Sequence, residues 1–163
     1  MNKIGIYPGT FDPITHGHIV VIKRSLKIVN KLIVAVSNDN NKEYLFSEEE
    51  RVSIIKNALF KDLNLKKSNI TVVCFNTLTT SLCKKYKATT LFRGLRAASD
   101  FEYEFQLAGM NRQLDTRIET VFLMSDPDKQ VISSKFVKEI AKLNGKIDNF
   151  VTKSTIHAIK NKI

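Results

Sequence analysis

Cysteine is scarce in this chain: two in 163 residues, Cys74 and Cys83. They form neither a C-x-x-C pair nor a zinc-ligand spacing, which excludes a disulfide framework and a cysteine-built metal centre. Both read as small buried side chains in a reducing compartment. Long apolar runs are also lacking. No segment approaches the ~20 apolar residues that span a bilayer, and the opening "MNKIGIYPGTFD" has no signal-peptide core. The expectation is a soluble, unprocessed, cytoplasmic protein. No repeat, low-complexity segment or linker interrupts the chain, so residues 1–163 are expected to form a single domain. Two common phosphate loops are absent as well: there is no G-x-x-x-x-G-K-S/T and no G-x-G-x-x-G. Finally, acidic residues are outnumbered, 16 against 26 Lys and Arg, which leaves a net charge of +10. Such a field attracts polyanions. The lysine clusters "LKKSN", "CKKYK" and "IKNKI" fall at predicted element ends and read as solvated surface.

What is present is an alternation of two periods. "KIGIY" (3–7), "LIVAVS" (32–37), "ITVVCF" (70–75), "TTLF" (89–92) and "TVFLM" (120–124) are short and mostly β-branched, as buried parallel strands are. Helical patterns lie between them. Ile19, Ile22, Leu26 and Val29 are spaced by three or four. "SEEERVSIIKNAL" opens on a capping box, Ser47 and Glu50, and "SDFEYEFQLAGMNRQL" on another, Ser99 and Glu102. "SSKFVKEIAKLNG" predicts a C-cap at Gly145, and a last helix fits 153–163. The alternation predicts an α/β fold, a single-domain Rossmann-like doubly wound parallel sheet of about five strands with helices on both faces. Ligands of such sheets bind beyond the carboxyl ends of the strands, at the switch point. The loops after strands one, two, four and five are therefore the place to search.

After the first strand comes "YPGTFDPITHGH". Gly9 is expected to let the backbone turn beside a ligand, and Thr10 offers a hydroxyl and an amide. Gly17 falls in a first helical turn, against helix propensity by about 1 kcal/mol. His18 would stand at that helix N-terminus, where amides and the macrodipole favour an anion. There an imidazole can donate to a phosphate oxygen and bear the charge that develops on it. His16, two residues earlier, points to a different face. Asp12 lies close enough in sequence to be near the site, without being expected as a metal ligand.

Thr15, His16, Gly17 and His18 spell T-x-G-H, the motif that marks the nucleotidylyltransferase superfamily. The wider run "YPGTFDPITxGH", with "EERV" (49–52), "FRGLRAASDFEYEFQLAGMNR" (92–112), "ETVFLM" (119–124) and "ISSKFVKEIA" (132–141), resembles the bacterial-type phosphopantetheine adenylyltransferases over nearly the whole chain. The resemblance implies transfer of the adenylyl group of ATP to 4′-phosphopantetheine, giving dephospho-coenzyme A and pyrophosphate. It implies that His18 stabilises the transition state, and that Thr10 and the amide of Phe11 hold ATP phosphate and orient the nucleophile. It implies Lys42 at the transferring or attacking phosphate, and Arg93, expected in a loop after strand four, on phosphopantetheine. Gly94, Leu95 and Arg96 would contact ATP, with Glu104 assisting. Lys129, Gln130, Val131, Ile132, Ser133, Ser134 and Lys135 would wrap the adenine and triphosphate. Thr79 matches a substrate-contacting position, with Leu78, Met110 and Asn111 as its expected neighbours. Mg2+ is implied through the ATP phosphates, with no protein metal ligand assigned, and a homo-hexamer is the expected assembly.

Two departures from that pattern stand out. Residue 135 is lysine where the family usually has a hydroxyl, and "SDPDKQ" (125–130) lacks an aromatic usual in this loop. Two rival readings differ in kind. A nucleotidylyltransferase for another phosphorylated substrate is opposed by "RGLR…DFEYE". A basic RNA-binding module rests on charge alone, without a motif or a run of surface aromatics. No nucleic-acid or membrane partner is expected.

Overall fold

A computed structural model describes residues 3–39 and 41–163, apart from the side chain of Ser99. Five parallel strands form one sheet: β1 (Ile4–Gly9), β2 (Lys31–Ser37), β3 (Ile70–Phe75), β4 (Thr90–Leu95) and β5 (Glu119–Met124), in the order β3-β2-β1-β4-β5. Six α-helices connect and cover them: α1 (His16–Ser25), α2 (Glu48–Asn57), α3 (Thr79–Tyr86), α4 (Ala98–Leu114), α5 (Ser134–Lys142) and α6 (Lys153–Lys160).

The period-2 alternation of β2 divides the core. Leu32, Val34 and Val36 pack with Ile19, Ile22, Ile55, Val137 and Ile159 on one face, under α1, α2, α5 and α6. Ile33 and Ala35 pack with Leu82, Cys83 and Leu91 on the other, under α3. The doubly wound expectation is met. The two cysteines part company: Cys83 is buried, but Cys74 lies exposed on the edge strand β3.

The switch point lies between β1 and β4. These strands pair only through Gly5–Thr90 and Ile6–Leu91, whereas β1 pairs with β2 from Ile4 to Gly9. Beyond Ile6 they splay, and the carboxyl end of the sheet opens.

Four local expectations need correction. β4 continues to Leu95, with Arg93 opposite Phe122 and Gly94 opposite Leu123, so Arg93 stands on the strand and not in a loop after it. Arg and Gly lack the β-branched signature that marks a strand, and the ladder with β5 overrides them. The left-handed residue after α5 is Asn144 (φ 59°), not Gly145. Gly145 is small for another reason, since a Cβ there would meet the Ile140 side chain at 2.5 Å. The N-cap of α4 is Ala97, not Ser99, whose side chain lies outside the described residues. Asp100 does the capping, accepting from the amides of Arg96 and Ala97. Likewise the left-handed turn after β1 falls on Phe11 (φ 48°), not Gly9. A Cβ on Gly9 would press the Phe11 ring at 3.0 Å, so the glycine serves to seat that ring.

Candidate active site

A cleft of about 760 Å3 opens where β1 and β4 diverge. Thr10, His18, Lys42, Thr79, Arg93, Gly94, Arg96, Glu104, Ile132, Ser133, Ser134 and Lys135 all line it. Sequence segments up to 125 residues apart thus meet at one place, as the sheet's topology demands.

The T-x-G-H stretch acquires a local reason. Thr15 is the N-cap of α1 and His18 is its third helical residue. The Thr15 amide donates to His18 Nδ1 at 3.0 Å, and the His18 amide lies 3.5 Å from Thr15 Oγ1. This is a capping box with histidine in the place of the usual glutamate. A backbone amide can only donate, so Nδ1 is an acceptor and the proton of the neutral ring sits on Nε2. Burial, then the nearby Arg96 charge, pushes the His18 pKa down to about 4. At neutral pH the cleft therefore receives an uncharged ring with one N–H free. The Phe11 ring, 5.0 Å from that of His18 between centroids, holds it from behind. Gly17 faces the backbone of the 129–132 loop, where a Cβ would lie 3.7 Å from the Ile132 carbonyl oxygen. His16 does not line the cleft.

The charged groups are arranged in anchored pairs. Arg93 donates from Nε to Glu104 Oε2 at 2.7 Å and from Nη2 to Oε1 at 2.5 Å, and from Nη1 to the Pro8 carbonyl at 3.0 Å. Three of five guanidinium N–H bonds are thus engaged, leaving two. The bond to Pro8 bridges the gap between the splayed β1 and β4. Arg96 lies 3.6 Å from Asp100 and donates to the Ile132 carbonyl at 3.3 Å. Lys42 and Lys135 are exposed, each held by an acid at only 3.9–4.0 Å. Ser133 caps α5 by accepting from the Phe136 amide, while Ser134 Oγ donates to the Pro13 carbonyl at 2.7 Å.

Not every expected residue lines the cleft. The Phe11 and Leu95 side chains are buried core, so only their backbones are available to a ligand. Lys129, paired with Asp128, lies beside the cleft with Gln130 and the exposed Val131, without lining it. Met110 and Leu78 are exposed, and neither they nor Asn111 line it. On α4 the lining residues are Asp100, Tyr103, Glu104 and Leu107, spaced by three and four. That spacing was open to view in the sequence and would have found them.

The sequence also hides a group behind the cleft. Asp12 is 3 % exposed and accepts from the amides of Leu45 and Phe46 and from Lys138 Nζ at 2.8 Å. It ties the β1 loop to the 42–46 segment and to α5. Among the described residues, no cluster of His, Cys, Asp and Glu is built to hold a metal ion, and no helix is long and apolar enough to cross a membrane.

Comparison with known proteins agrees with this geometry. A cytidylyltransferase-like family model matches residues 6–140. A phosphopantetheine adenylyltransferase of Pelagibacter ubique is 60 % identical over 99 % of both chains. Another, of Sphingopyxis alaskensis, is 46 % identical over 96 % of this chain and 91 % of its own. A solved chain described as a nicotinate-nucleotide adenylyltransferase from Vibrio parahaemolyticus shares the fold, with a TM-score of 0.76 at 20 % identity, covering 99 % of this chain and 100 % of its own. The cation-lined cleft at the switch point, the neutral histidine at its helix cap and these full-length relatives converge: the chain belongs to the cytidylyltransferase-like family and, within it, to the phosphopantetheine adenylyltransferases.

Proposed function

We propose that the chain transfers the adenylyl group of ATP to 4′-phosphopantetheine, releasing pyrophosphate and dephospho-coenzyme A, the penultimate step of coenzyme A synthesis. The observation that carries this is the neutral, Nε2-protonated His18 facing a cleft with Lys42, Arg93, Arg96 and Lys135 on its walls. The attacking group is a phosphate oxygen, already anionic, so no general base is needed. Its bond to the α-phosphorus forms as the bond to the bridging oxygen breaks, and that electron pair leaves with pyrophosphate. The protein's work is to position two polyanions and to neutralise charge.

Each lining residue then has a task. His18 donates from Nε2 to an α-phosphate oxygen as charge builds there. Thr10 and the Phe11 amide orient the phosphates. Lys42 and the two free N–H groups of Arg93 hold the attacking phosphate, with Thr79 near the pantetheine arm. Arg96, Lys135 and the α5 N-terminus take the outer phosphates of ATP, a ready anion site. Gly94 and Leu95 offer their backbone to the nucleotide, and a Cβ at Gly94 would strike Val21 at 2.9 Å. Glu104 acts by fixing Arg93. The segment from Lys129 through Gln130 and Val131 to Ile132 covers the adenine.

Mg2+ enters on the ATP phosphates. The cleft's two carboxylates, Asp100 and Glu104, are each turned to an arginine, which suits an ion held by substrate oxygens and water. The chain works in the cytoplasm as a homo-oligomer, a hexamer by family resemblance. Its α4 supports assembly, for Phe101, Phe105, Met110 and Leu114 are all 45 % exposed or more.

Incubation with ATP, Mg2+ and 4′-phosphopantetheine should yield pyrophosphate and dephospho-coenzyme A. Faster turnover of nicotinate mononucleotide, or of CTP in place of ATP, would overturn the reading.

Lys135 gives a finer test. It is the second residue of α5, where a cation opposes the macrodipole by about 0.3–1 kcal/mol. Contact with the β- or γ-phosphate offsets that cost. Lys135→Ser should leave thermal stability equal or slightly higher while raising the KM for ATP several-fold. The effect should shrink at high salt. An unchanged KM at low salt would make Lys135 a bystander.

A further inference from the structure

Arg51 lies on α2 in series with Ile54, Ile55 and Ala58, the buried stripe of that helix and the turn that follows it. A cation there is out of place. It is 1 % exposed, and among the described residues it forms no ion pair within 4.0 Å. Its Nη1 donates to the carbonyl oxygens of Thr10 at 2.8 Å and Ser37 at 2.9 Å, and its Nη2 donates to Asn38 Oδ1 at 3.5 Å. Its guanidinium carbon stands 4.1 Å from the centre of the Tyr44 ring. Its Nε is buried with no acceptor at all.

A buried charge left to dipoles and a ring face is only partly compensated. The two carbonyls belong to Thr10 and Ser37, both of which line the cleft. Tyr44 in turn accepts from the Asp39 amide at 3.0 Å, and the Asp39 carbonyl accepts from the Lys42 amide at 3.0 Å. One guanidinium therefore braces Thr10, the end of β2 and the loop that carries Lys42.

We propose that Arg51 is a positioning residue for phosphate binding: it sets Thr10 and the Lys42 loop, and a phosphate anion in the cleft adds to the balance of its buried charge. This rests on the reading of the cleft as an adenylyl-transfer site, and two variants separate its parts. Arg51→Lys keeps the charge but cannot span both carbonyls and the ring. Arg51→Gln keeps a donor but not the charge.

The probe for binding is inorganic pyrophosphate, titrated by calorimetry, which reads the phosphate site without any turnover. Arg51→Gln should weaken it about ten-fold, the equivalent of about 1.4 kcal/mol. Arg51→Lys should bind it within about three-fold of wild type, yet lose at least ten-fold in kcat well below its melting temperature. A purely structural arginine would lower the melting temperature of both and leave both readouts unmoved. Arg51→Lys, which keeps a cation on the stripe, decides alone if Arg51→Gln does not fold: an undiminished kcat overturns the proposal. Pyrophosphate binding of wild-type strength in folded Arg51→Gln overturns it equally. A wild-type protein that binds pyrophosphate but turns over no 4′-phosphopantetheine would instead fell the substrate assignment and leave Arg51 in place.

Discussion

His18→Ala should lose about 10²–10³ in kcat while keeping its fold and most of its affinity for ATP. The magnitude is that of one preorganised donor removed from a developing oxyanion. The neutral ring places its only N–H at Nε2 because the Thr15 amide occupies Nδ1, so the substitution removes that donor outright. His18→Gln, which retains a side-chain N–H, should recover part of the loss. The helix loses half of its capping box, a cost on the order of 1 kcal/mol. His16→Ala should be far milder, since its ring lies outside the cleft. Near wild-type kcat in purified His18→Ala would remove His18 from the mechanism.

A stability measurement checks the same ring from another side. The His18 pKa is lowered from 6.5 to about 4 in the folded protein. Between those values the unfolded chain binds a proton that the folded chain refuses. Stability should therefore rise with pH from about 4 to about 6.5, and fall as pH drops through that window. His18→Ala should flatten that part of the curve. An unchanged slope between pH 4 and 6.5 would mean the ring is protonated and hydrated in the folded state.

The sheet and its switch point were legible in the sequence because burial on both sides leaves strands apolar throughout, and Leu32 to Val36 could hardly read otherwise. T-x-G-H was legible as a motif, but its local cause was not. A histidine serving as the reciprocal cap of a threonine is visible only once Nδ1 and the Thr15 amide are seen 3.0 Å apart. The extent of β4 was lost for a different reason. Arg93 and Gly94 carry no strand signal of their own, and the pairing with Phe122 and Leu123 that holds them is long-range. Arg51 was readable in principle, as a charge on an apolar stripe, though only the structure shows that two cleft carbonyls await it. Met110 and Asn111 lie outside the cleft lining, whose α4 stripe runs through Asp100, Tyr103, Glu104 and Leu107.

Arg93→Ala should cut kcat/KM for 4′-phosphopantetheine at least about 10²-fold, a loss of about 2.7 kcal/mol, with a smaller effect on ATP. Two losses add here. The attacking phosphate forfeits two charge-assisted donors held in a fixed fork. Glu104, 9 % exposed, is also left as a carboxylate without its cation, facing an incoming anion. Breaking one side of such a pair is costlier than removing both. The double variant Arg93→Ala/Glu104→Gln should therefore regain part of what the single variant loses, in both stability and kcat/KM. Arg93→Lys should not restore activity, because an ammonium cannot span Glu104, the Pro8 carbonyl and a phosphate together. Arg96 is exposed and tied more loosely, by Asp100 and the Ile132 carbonyl. Arg96→Ala should chiefly raise the KM for ATP. Steady-state kinetics with each substrate varied in turn would read this separation, and equal losses on both substrates from both variants would show that the two arginines serve one common phosphate site.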